Sequence, residues 1–247
     1  MPDQLFADPY LAQVYDAWHP RSVRDDYDFY MPMMLSAASV LDVGCGTGTL
    51  LSEARFKGHS GRLCGLDPAF GMLAAARRIA EVEWVQGNLR SVTWEGEFDL
   101  IVMTGHAFQT IVTDDELRAS LQAVWRALSP GGCFAFETRN PKARAWDRWR
   151  PENSVTVQMP DGNYVDITTH IVSPFDGRTI TFTHTFDGPH SSLPQISHST
   201  LRFLDIEPLR KLLQSEGFEI EGEFGDFDGQ PLSYESPEII MIARRHR

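Results

Sequence analysis

Short apolar runs alternate with helical patterns from about residue 39 to residue 139 of the chain. Buried strands that alternate with helices are typical of a mostly parallel sheet with helices on both faces. The pattern therefore predicts a doubly wound α/β core. The predicted strands are Ser39 to Val43, Arg62 to Leu66, Val82 to Val85, Phe98 to Thr104 and Cys133 to Thr138. The predicted helices between them are about Thr47 to Lys57, Ala69 to Ala80 and Asp114 to Leu128.

The third of these helices carries the clearest end signals. Thr113 is followed three positions later by Glu116, the spacing of a capping box at a helix start. The Ser-Pro-Gly-Gly run at 129–132 then ends the helix, because proline and glycine both resist its continuation.

Between about residues 152 and 204 the pattern changes to a period of two. The segments VTVQM, YVDITTHIV, TITFTHTF and HSTLRFL alternate polar with apolar or β-branched residues, and turn sequences stand at 160–163 and 175–178. Such alternation is typical of antiparallel strands. The segment therefore predicts an antiparallel β-sheet inserted into the core, which would act as a lid or substrate element.

Helical patterns precede the core at residues 9–18 and 22–36, and we expect Pro32 to interrupt the second. After the insertion, Asp205 is placed to cap a helix that ends at Gly217. The last two strands of the core sheet are predicted around Phe218 to Phe224 and Glu238 to Ala243. The predicted domains are an N-terminal helical cover (1–38), the α/β core (39–151), the insertion (152–204) and the closing helix and strands (205–247).

The charge balance narrows the partners. The 247 residues contain 22 Lys and Arg against 34 Asp and Glu, a net charge of −12. Nucleic acids and anionic membranes attract basic surfaces, so a small-molecule substrate is expected instead of either. No apolar run approaches the ~18–20 residues that span a bilayer. Without a secretory signal or a disulfide-like cysteine pattern, the sequence predicts a cytoplasmic protein.

The segment VLDVGCGTGTL, residues 40–50, is the most informative one. A buried strand runs into three glycines, Gly44, Gly46 and Gly48, and a helix follows. Glycine lets the backbone turn tightly and lets a ligand approach closely. The GxGxG spacing is one residue short of the dinucleotide GxGxxG motif, which argues against a nicotinamide-dependent dehydrogenase.

Asp67 stands at the end of the next strand, nineteen positions after Gly48. An acidic residue there in a doubly wound sheet can accept both hydroxyls of a ribose. The alternative is that Asp67 caps the following helix. Its occurrence together with the glycine loop favours a ligand site.

Five segments now resemble the class I S-adenosylmethionine-dependent methyltransferases. In order, they are VLDVGCGTG, GLDPAFGML, VEWVQGNL, FDLIVMTGHAF and LSPGGCFAFE. The resemblance covers residues 39–139 strongly and the closing elements weakly. It implies a Rossmann-like, seven-stranded sheet whose last strand is antiparallel, and S-adenosylmethionine as the cofactor.

The resemblance also implies roles for individual residues. Gly44, Gly46 and Gly48 would line the methionine moiety, with Asp42 beneath them orienting its amino group. Asp67 would hold the ribose hydroxyls. The adenine would contact Pro68, Met72 and Asn88, although the family commonly has Asp at the position of Asn88. The remaining cofactor-binding residues are expected to be Cys45, Leu89, Thr104 and Gly105 in the same segments and Tyr15 as a cover over the sulfonium.

A general base is needed only if the acceptor must lose a proton during attack. His106 follows the fourth strand directly and is the predicted catalytic residue, with a pocket-shaping role as the alternative. Glu137 and Arg139 lie where the fifth strand reaches the same sheet edge. They are expected to contact the substrate or, alternatively, to form a structural ion pair.

Three histidines, His170, His184 and His198, fall on successive strands of the insertion. A hairpin that pairs His170 with His184 would put two imidazoles on one face. We predict a polar sheet face there, with a zinc or iron site as the alternative. The aromatic and basic segment around Trp146 and Trp149 predicts an amphipathic helix, and the insertion is a candidate homodimer surface.

Together, these features predict an enzyme that transfers a methyl group to a small molecule through an oxygen, nitrogen or carbon nucleophile. A non-catalytic S-adenosylmethionine-binding regulatory protein is the main alternative. A nucleic-acid methyltransferase is disfavoured, because Thr104-Gly105-His106-Ala107 replaces the Asn/Asp-Pro-Pro-aromatic loop of the DNA enzymes.

Overall fold

A computed structural model describes residues 2–246 of the chain. Seven strands form the main sheet in the order β10-β11-β5-β4-β1-β2-β3. In these residues, no helix combines the length and the apolar character that crossing a bilayer requires. The strands of the main sheet are β1 (Ser39–Val43), β2 (Arg62–Asp67), β3 (Glu83–Gln86), β4 (Phe98–Met103), β5 (Leu128–Arg139), β10 (Phe218–Phe224) and β11 (Glu238–Arg245).

The direction of the strands confirms the predicted mixed sheet. Strands β1 to β5 pair in parallel, and β11 runs antiparallel to both of its neighbours, β5 and β10. Asp42 of β1 lies in register with Gly65 of β2 and with Val102 of β4. Its carboxyl therefore stands near the centre of the carboxyl edge, where open α/β sheets bind ligands.

Helices cover both faces of this sheet, as the alternating pattern predicts. One face packs on α6 and α7, and the other on α3, α4 and the apolar side of α5. Thr113 accepts a hydrogen bond from the backbone N–H of Glu116, which confirms Thr113 as the helix N-cap, and its hydroxyl donates to the Glu116 carboxylate at 2.9 Å. The helices are α1 (Gln4–Ala7), α2 (Pro9–Trp18), α3 (Asp25–Ser36), α4 (Thr49–Phe56), α5 (Phe70–Ala76), α6 (Asp114–Ala127) and α7 (Ile206–Ser215).

The insertion is the predicted antiparallel sheet, with strand order β6-β7-β8-β9. Its strands are β6 (Val155–Gln158), β7 (Tyr164–Ser173), β8 (Thr179–Asp187) and β9 (Gln195–Arg202). Helices α1 and α2 pack on it through a small apolar cluster that includes Leu5, Leu11 and Val14. The backbone N–H of Leu5 also donates to Ser197 Oγ at 2.9 Å. The first two helices thus join the inserted sheet to the core.

Two predicted helices are wrong in detail. Helix α3 runs through Pro32 without interruption. Proline removes only the hydrogen bond to the carbonyl of Asp28, and that residue is exposed, so water can satisfy it. The segment around Trp146 forms three short 3-10 turns at residues 141–143, 145–148 and 151–153 instead of an amphipathic helix. Its aromatic residues nevertheless pack, because Trp146 stacks on Phe175.

Two predicted contacts are also wrong. Asp205 precedes α7 but makes no capping hydrogen bond, since its carboxylate lies 3.0 Å from Lys142 Nζ. His170 pairs with Thr183, and His184 pairs with Thr169. This one-residue difference in register puts His170 and His184 on opposite faces of the sheet. Across residues 2–246, no three potential metal-ligating side chains come together.

Candidate active site

The glycine loop follows β1 and turns back across the end of β2. Gly44 and Gly46 both have positive φ, +75° and +56°, which side-chain-bearing L-residues rarely adopt. The backbone N–H of Gly44 donates to the carbonyl of Leu66 at 2.8 Å. A Cβ added at Gly44 would lie 2.7 Å from the Cβ of Ala107. Glycine is therefore required here by both the turn and the close approach of the loop after β4.

Glycine is required at position 48 for a different reason. Its φ is +81°, and a Cβ added to it would lie 2.3 Å from the indole ring of Trp84. Its neighbour Gly46 has its closest such contact at 3.9 Å, from Met72 Sδ. Gly48 therefore serves the packing of α4 against β3, and the prediction that it lines the ligand site is not supported by its position.

Asp67 holds the glycine loop and the start of α5 at once. One carboxylate oxygen accepts from the backbone N–H of Gly46 at 2.9 Å, and the other accepts from Ala69 at 2.7 Å. Burial raises the pKa of this carboxyl, and these two hydrogen bonds oppose that shift. Each oxygen can still accept a second hydrogen bond. Helix α5 begins after Ala69 and has no side-chain capping hydrogen bond, so Asp67 stabilises the turn before the helix and does not cap it, and its ligand role stays a prediction.

Asp42 is fully buried beneath the loop. Its Oδ1 atom has no hydrogen-bond partner among residues 2–246, and the side chain lines a cavity. Burial raises the pKa of the Asp42 carboxyl to about 8. An unpaired buried carboxyl oxygen is costly, and a ligand that donates to it would remove the cost.

The cavity at the carboxyl edge has a volume of about 610 Å³. It brings together eleven of the fourteen predicted site residues. Gly48, Leu89 and His106 do not line it; the side chain of Leu89 lies in the core below α6. The predicted residues that line the cavity are Tyr15, Asp42, Gly44, Cys45, Gly46, Asp67, Pro68, Met72, Asn88, Thr104 and Gly105.

Asn88 lies at the cavity edge in a tight turn. Its Oδ1 atom accepts from the backbone N–H of Arg90 at 3.0 Å. The amide oxygen, which we expected to bind an adenine amino group, therefore already has one donor and keeps one further acceptor position. Its role toward adenine stays a prediction.

Tyr15 and Arg24 cover the opposite wall, above Gly105. A Cβ added at Gly105 would lie 3.7 Å from the Tyr15 hydroxyl and 3.4 Å from Arg24 Nη2. Arg24 is held by Asp26 in a fork with contacts of 2.9 and 2.7 Å. Burial raises the pKa of Tyr15, so the phenol stays protonated at neutral pH.

His106 faces away from the cavity. Its Nε2 atom lies 3.0 Å from both carboxyl oxygens of Glu238, and its backbone N–H donates to Glu137 at 2.8 Å. Tyr30 donates to the other oxygen of Glu137 at 2.6 Å. Burial raises the pKa of Glu238 to about 7 and lowers that of His106. This network fixes the turn after β4, and the role of His106 as a base stays a prediction.

Comparison with known protein families identifies the kind of domain that contains this cavity. A family model described as a methyltransferase domain matches residues 40–132. That range begins in β1, includes the glycine loop and Asp67, and ends in β5. Residues 40–132 therefore carry a methyltransferase domain. This confirms the family, the enzyme class and the cofactor that the five sequence segments implied.

Individual relatives are similar in sequence or fold to this methyltransferase over most of its length. The chain is 26% identical to a cypemycin N-terminal methyltransferase from a Streptomyces species, over 85% of this chain and 84% of the relative. It is 29% identical to a dTDP-3-amino-3,4,6-trideoxy-alpha-D-glucopyranose N,N-dimethyltransferase from Streptomyces venezuelae, over 65% and 69%. The fold matches S-adenosylmethionine-bound CalS10, an amino pentose methyltransferase from Micromonospora echinaspora, with a TM-score of 0.67, 24% identity and coverage of 99% and 100%.

The sequence did not identify several residues that line the cavity of this methyltransferase. Thr47 Oγ1 donates to Asp16 at 2.7 Å and so links the glycine loop to α2. His19, just after α2, also lines the cavity. Thr47 stands inside the glycine motif and could have been chosen for its hydroxyl. Asp16 and His19 gave no signal beyond a helical pattern.

Proposed function

We propose that the protein transfers the methyl group of S-adenosylmethionine to an amine nitrogen of a small molecule. One observation carries this proposal: a single cavity holds the unpartnered Asp42 oxygen and Asp67 on one wall, and Tyr15 and Gly105 on the other. The first wall suits a ligand that carries an ammonium group and a ribose. The second wall leaves room for an acceptor beside it.

The residues of the first wall each have a property that supports S-adenosylmethionine as the ligand. Asp42 would accept from the amino group of the methionine moiety, and Asp67 would accept from the two ribose hydroxyls. Gly44 and Gly46 would let that moiety lie against the backbone, because neither carries a side chain. Buried Met72 and the rim residue Pro68 would pack on the adenine.

A nitrogen acceptor is supported by the names of three relatives, while other relatives are trans-aconitate 2-methyltransferases and a 2-phytyl-1,4-naphtoquinone methyltransferase. The cypemycin enzyme is an N-terminal methyltransferase, the Streptomyces venezuelae enzyme is an N,N-dimethyltransferase of an amino sugar, and CalS10 is an amino pentose methyltransferase. All three names describe an amino group. We therefore place nitrogen ahead of oxygen and carbon for this chain.

The chain's own contribution is alignment and exclusion of water. The sulfonium activates the methyl carbon when the cofactor is bound, so the protein need not generate a strong nucleophile. Tyr15 and Arg24 close the cavity above Gly105 and restrict the approach of the acceptor to one direction. Holding two reactants in attack geometry supplies a large part of such a rate enhancement.

His19 is better placed than His106 to meet the acceptor. It lines the cavity, and its Nδ1 atom lies 3.2 Å from the backbone carbonyl of Tyr15. Because that carbonyl can only accept, Nδ1 carries the proton and Nε2 keeps its lone pair. Burial lowers the pKa of His19 to about 4, so the ring is neutral at pH 7. It can therefore accept a hydrogen bond from an amine and orient it.

Three further expectations remain part of this proposal. The free thiols of Cys45, Cys64 and Cys133 support a reducing compartment such as the cytoplasm. The net charge of −12 disfavours nucleic acid as the acceptor. A homodimer through the inserted sheet stays a prediction.

Transfer of a labelled methyl group tests the proposal. The protein would be incubated with S-adenosylmethionine that carries a deuterated methyl group and with paired acceptors, each a primary amine and its matched alcohol. We expect the mass of the amine to rise by one labelled methyl group and the alcohol to stay unchanged. Labelling of the alcohols alone, or of no amine by protein that binds S-adenosylhomocysteine, would overturn the nitrogen assignment.

A further inference from the structure

The cavity has a third side, which comes from elements other than the glycine loop and α2. On this side, Asp3 just before α1 and Val112 just before α6 line the cavity. His198 and Thr200 of β9 line it as well. The start of the chain, the loop after β4 and the inserted sheet therefore meet here. The proposed binding of S-adenosylmethionine uses none of these four residues.

The inserted sheet fixes the Asp3 carboxylate on this side. Its Oδ2 atom accepts from the Ser199 hydroxyl of β9 at 2.5 Å. The backbone of the same segment is also held, because the N–H of Leu5 donates to Ser197 Oγ at 2.9 Å. Asp3 is thus a half-buried carboxylate that two contacts with one strand keep in place.

The second oxygen of this carboxylate is free to bind a ligand. Among residues 2–246, no donor reaches Asp3 Oδ1, and no lysine, arginine or histidine nitrogen lies within 4.0 Å of the carboxylate. The Oδ1 atom is not sealed inside the protein either, so it stays accessible. A fixed carboxylate with one open oxygen is suited to accept a hydrogen bond from a cation.

The charged groups that line the cavity are mostly negative. In the described part of the chain, five acidic residues line it together with two arginines and no lysine. Both arginines are paired, since Arg24 lies 2.7 Å from Asp26 and Arg90 lies 3.6 Å from Glu116. An acceptor in this cavity therefore meets no unpaired arginine or lysine. The acidic residues of the lining are Asp3, Asp16, Asp42, Asp67 and Glu116.

This charge balance favours a cationic acceptor over an anionic one. A phosphate group would lose its hydration without gaining a free cation, which is costly. The unpartnered Oδ1 atom of Asp42, whose side chain is 1% exposed, is independent evidence that this cavity receives a positively charged ligand. Asp42 and Asp67 are assigned to the cofactor, and Asp16 accepts from Thr47. Asp3 remains for the acceptor.

We propose that Asp3 binds a second, positively charged group of the methyl acceptor through its Oδ1 atom, and that this acceptor carries no phosphate. The inference rests on the proposed function and narrows it from any small amine to an amine with two nitrogen groups, such as a diamine or a diamino sugar. One nitrogen stays protonated at Asp3, and the other faces Gly105. The charge of the first lowers the pKa of the second, so the attacking nitrogen is neutral more readily.

Ligand-observed NMR titrations test the assignment without any need for turnover. The probes are 1,4-diaminobutane and its homologues of three and five carbons. Butylamine lacks the second charge, 4-aminobutyrate replaces it with a carboxylate, and thymidine diphosphate represents the phosphate esters. Each is titrated to millimolar concentration into the S-adenosylhomocysteine complex. The variants are Asp3→Asn, Asp3→Lys and the control Asp187→Asn, which changes an exposed aspartate of the inserted sheet.

We expect at least one diamine to bind the wild type and the Asp187→Asn control at least about tenfold more tightly than butylamine. Asp3→Asn should abolish this difference, and Asp3→Lys should reverse the preference in favour of 4-aminobutyrate. Equal binding of diamines and butylamine to the wild type would overturn the inference, as would tighter binding of 4-aminobutyrate or thymidine diphosphate, or an unchanged preference in Asp3→Asn. S-adenosylhomocysteine binding, measured in the same samples, tests the methyltransferase site separately.

Discussion

The two walls of the cavity are built in different ways. The cofactor wall, the side proposed to bind S-adenosylmethionine, comes from one stretch of chain that runs from Asp42 to Asp67, and the Asp67 carboxylate accepts a hydrogen bond from the backbone N–H of Gly46. The acceptor wall, the side proposed to meet the methyl acceptor, joins Tyr15 of α2 to Gly105 after β4, about 90 positions away. A local stretch can be recognised from its own residues. The residues of a wall assembled from distant elements are brought together only by folding, so the sequence alone does not identify them as a group.

The walls also differ in charge. The cofactor wall presents two buried carboxyl groups, which suit a ligand with an ammonium group and hydroxyls. The acceptor wall presents the neutral imidazole of His19 and the guanidinium of Arg24, which is paired with Asp26. The two walls thus differ in the groups that they present to a ligand, although the whole chain carries a net charge of −12. Local charge decides which ligand binds where.

The largest effect is expected from Asp67→Ala on the cofactor wall. The change removes two charge-assisted hydrogen bonds to ribose, at about 1.5–3 kcal/mol each. The dissociation constant for S-adenosylhomocysteine, measured by titration calorimetry, should rise at least about 100-fold. Asp187→Ala, on an exposed aspartate of the inserted sheet, is the control and should bind normally. Normal binding by Asp67→Ala would remove the ribose assignment.

Substitutions in the glycine loop distinguish the packing role of Gly48 from the proposed ligand-binding role of Gly46. Gly48→Ala forces a Cβ against Trp84 as well as a left-handed backbone, and should lower the free energy of unfolding by about 2–4 kcal/mol in urea denaturation. Gly46→Ala has only the backbone cost, about 1–2 kcal/mol, because its nearest contact is at 3.9 Å. It should instead weaken cofactor binding. Equal loss of stability in both variants would contradict this separation.

Asp42 should make the stability of the cofactor-free protein depend on pH. Its pKa is about 8 in the folded protein and 3.8 as an ordinary aspartate, so the folded state resists ionisation. Stability is therefore expected to fall as pH rises from about 4 to 8 and to level off above that range. Asp42→Asn should lessen this fall and stabilise the free protein at pH 8 by about 1–3 kcal/mol, while weakening cofactor binding.

Thermal unfolding across this pH range, with and without S-adenosylhomocysteine, measures both effects. Glu137 and Glu238 have pKa values raised to about 7 and stay in the variant, so only the difference between the two proteins reports on Asp42. Parallel pH profiles for the wild type and Asp42→Asn would show that the Asp42 carboxyl does not titrate as described.

The smallest effect is expected where the N-terminal helices meet the inserted sheet. Ser197→Ala removes the acceptor of the buried Leu5 N–H and should cost about 1 kcal/mol. Since Tyr15 lies on the adjoining helix, amide hydrogen exchange of residues 4–18 should rise and KM for the cofactor should increase a few-fold. Ser173→Ala, on an exposed serine, is the control. Unchanged hydrogen exchange in Ser197→Ala would show that this contact does not hold the two N-terminal helices in place over the cavity.

The sequence predicted the main sheet and the closeness of the glycine loop to Asp67, because both depend on local patterns. Strand β1 has the predicted bounds, and the glycine loop and Asp67 meet as expected. The orientation of the His106 side chain could not be predicted, because its partner Glu238 lies 132 positions away in the sequence. The register of His170 and His184 likewise depends on a hairpin whose alignment differs by one residue from the expected one. Packing between elements that are distant in the sequence determines such contacts and registers.

The central claim is that the transferred methyl group lies where the two walls meet, at Gly105 and Tyr15. S-adenosylmethionine with a carbon-13-labelled methyl group, bound to the protein, allows this position to be measured by isotope-filtered nuclear Overhauser effects. The account predicts effects from the labelled methyl to the Tyr15 ring and to the Gly105 backbone. Effects to Asn88 and Arg90 at the opposite end of the cavity, with none to Tyr15 or Gly105, would contradict it.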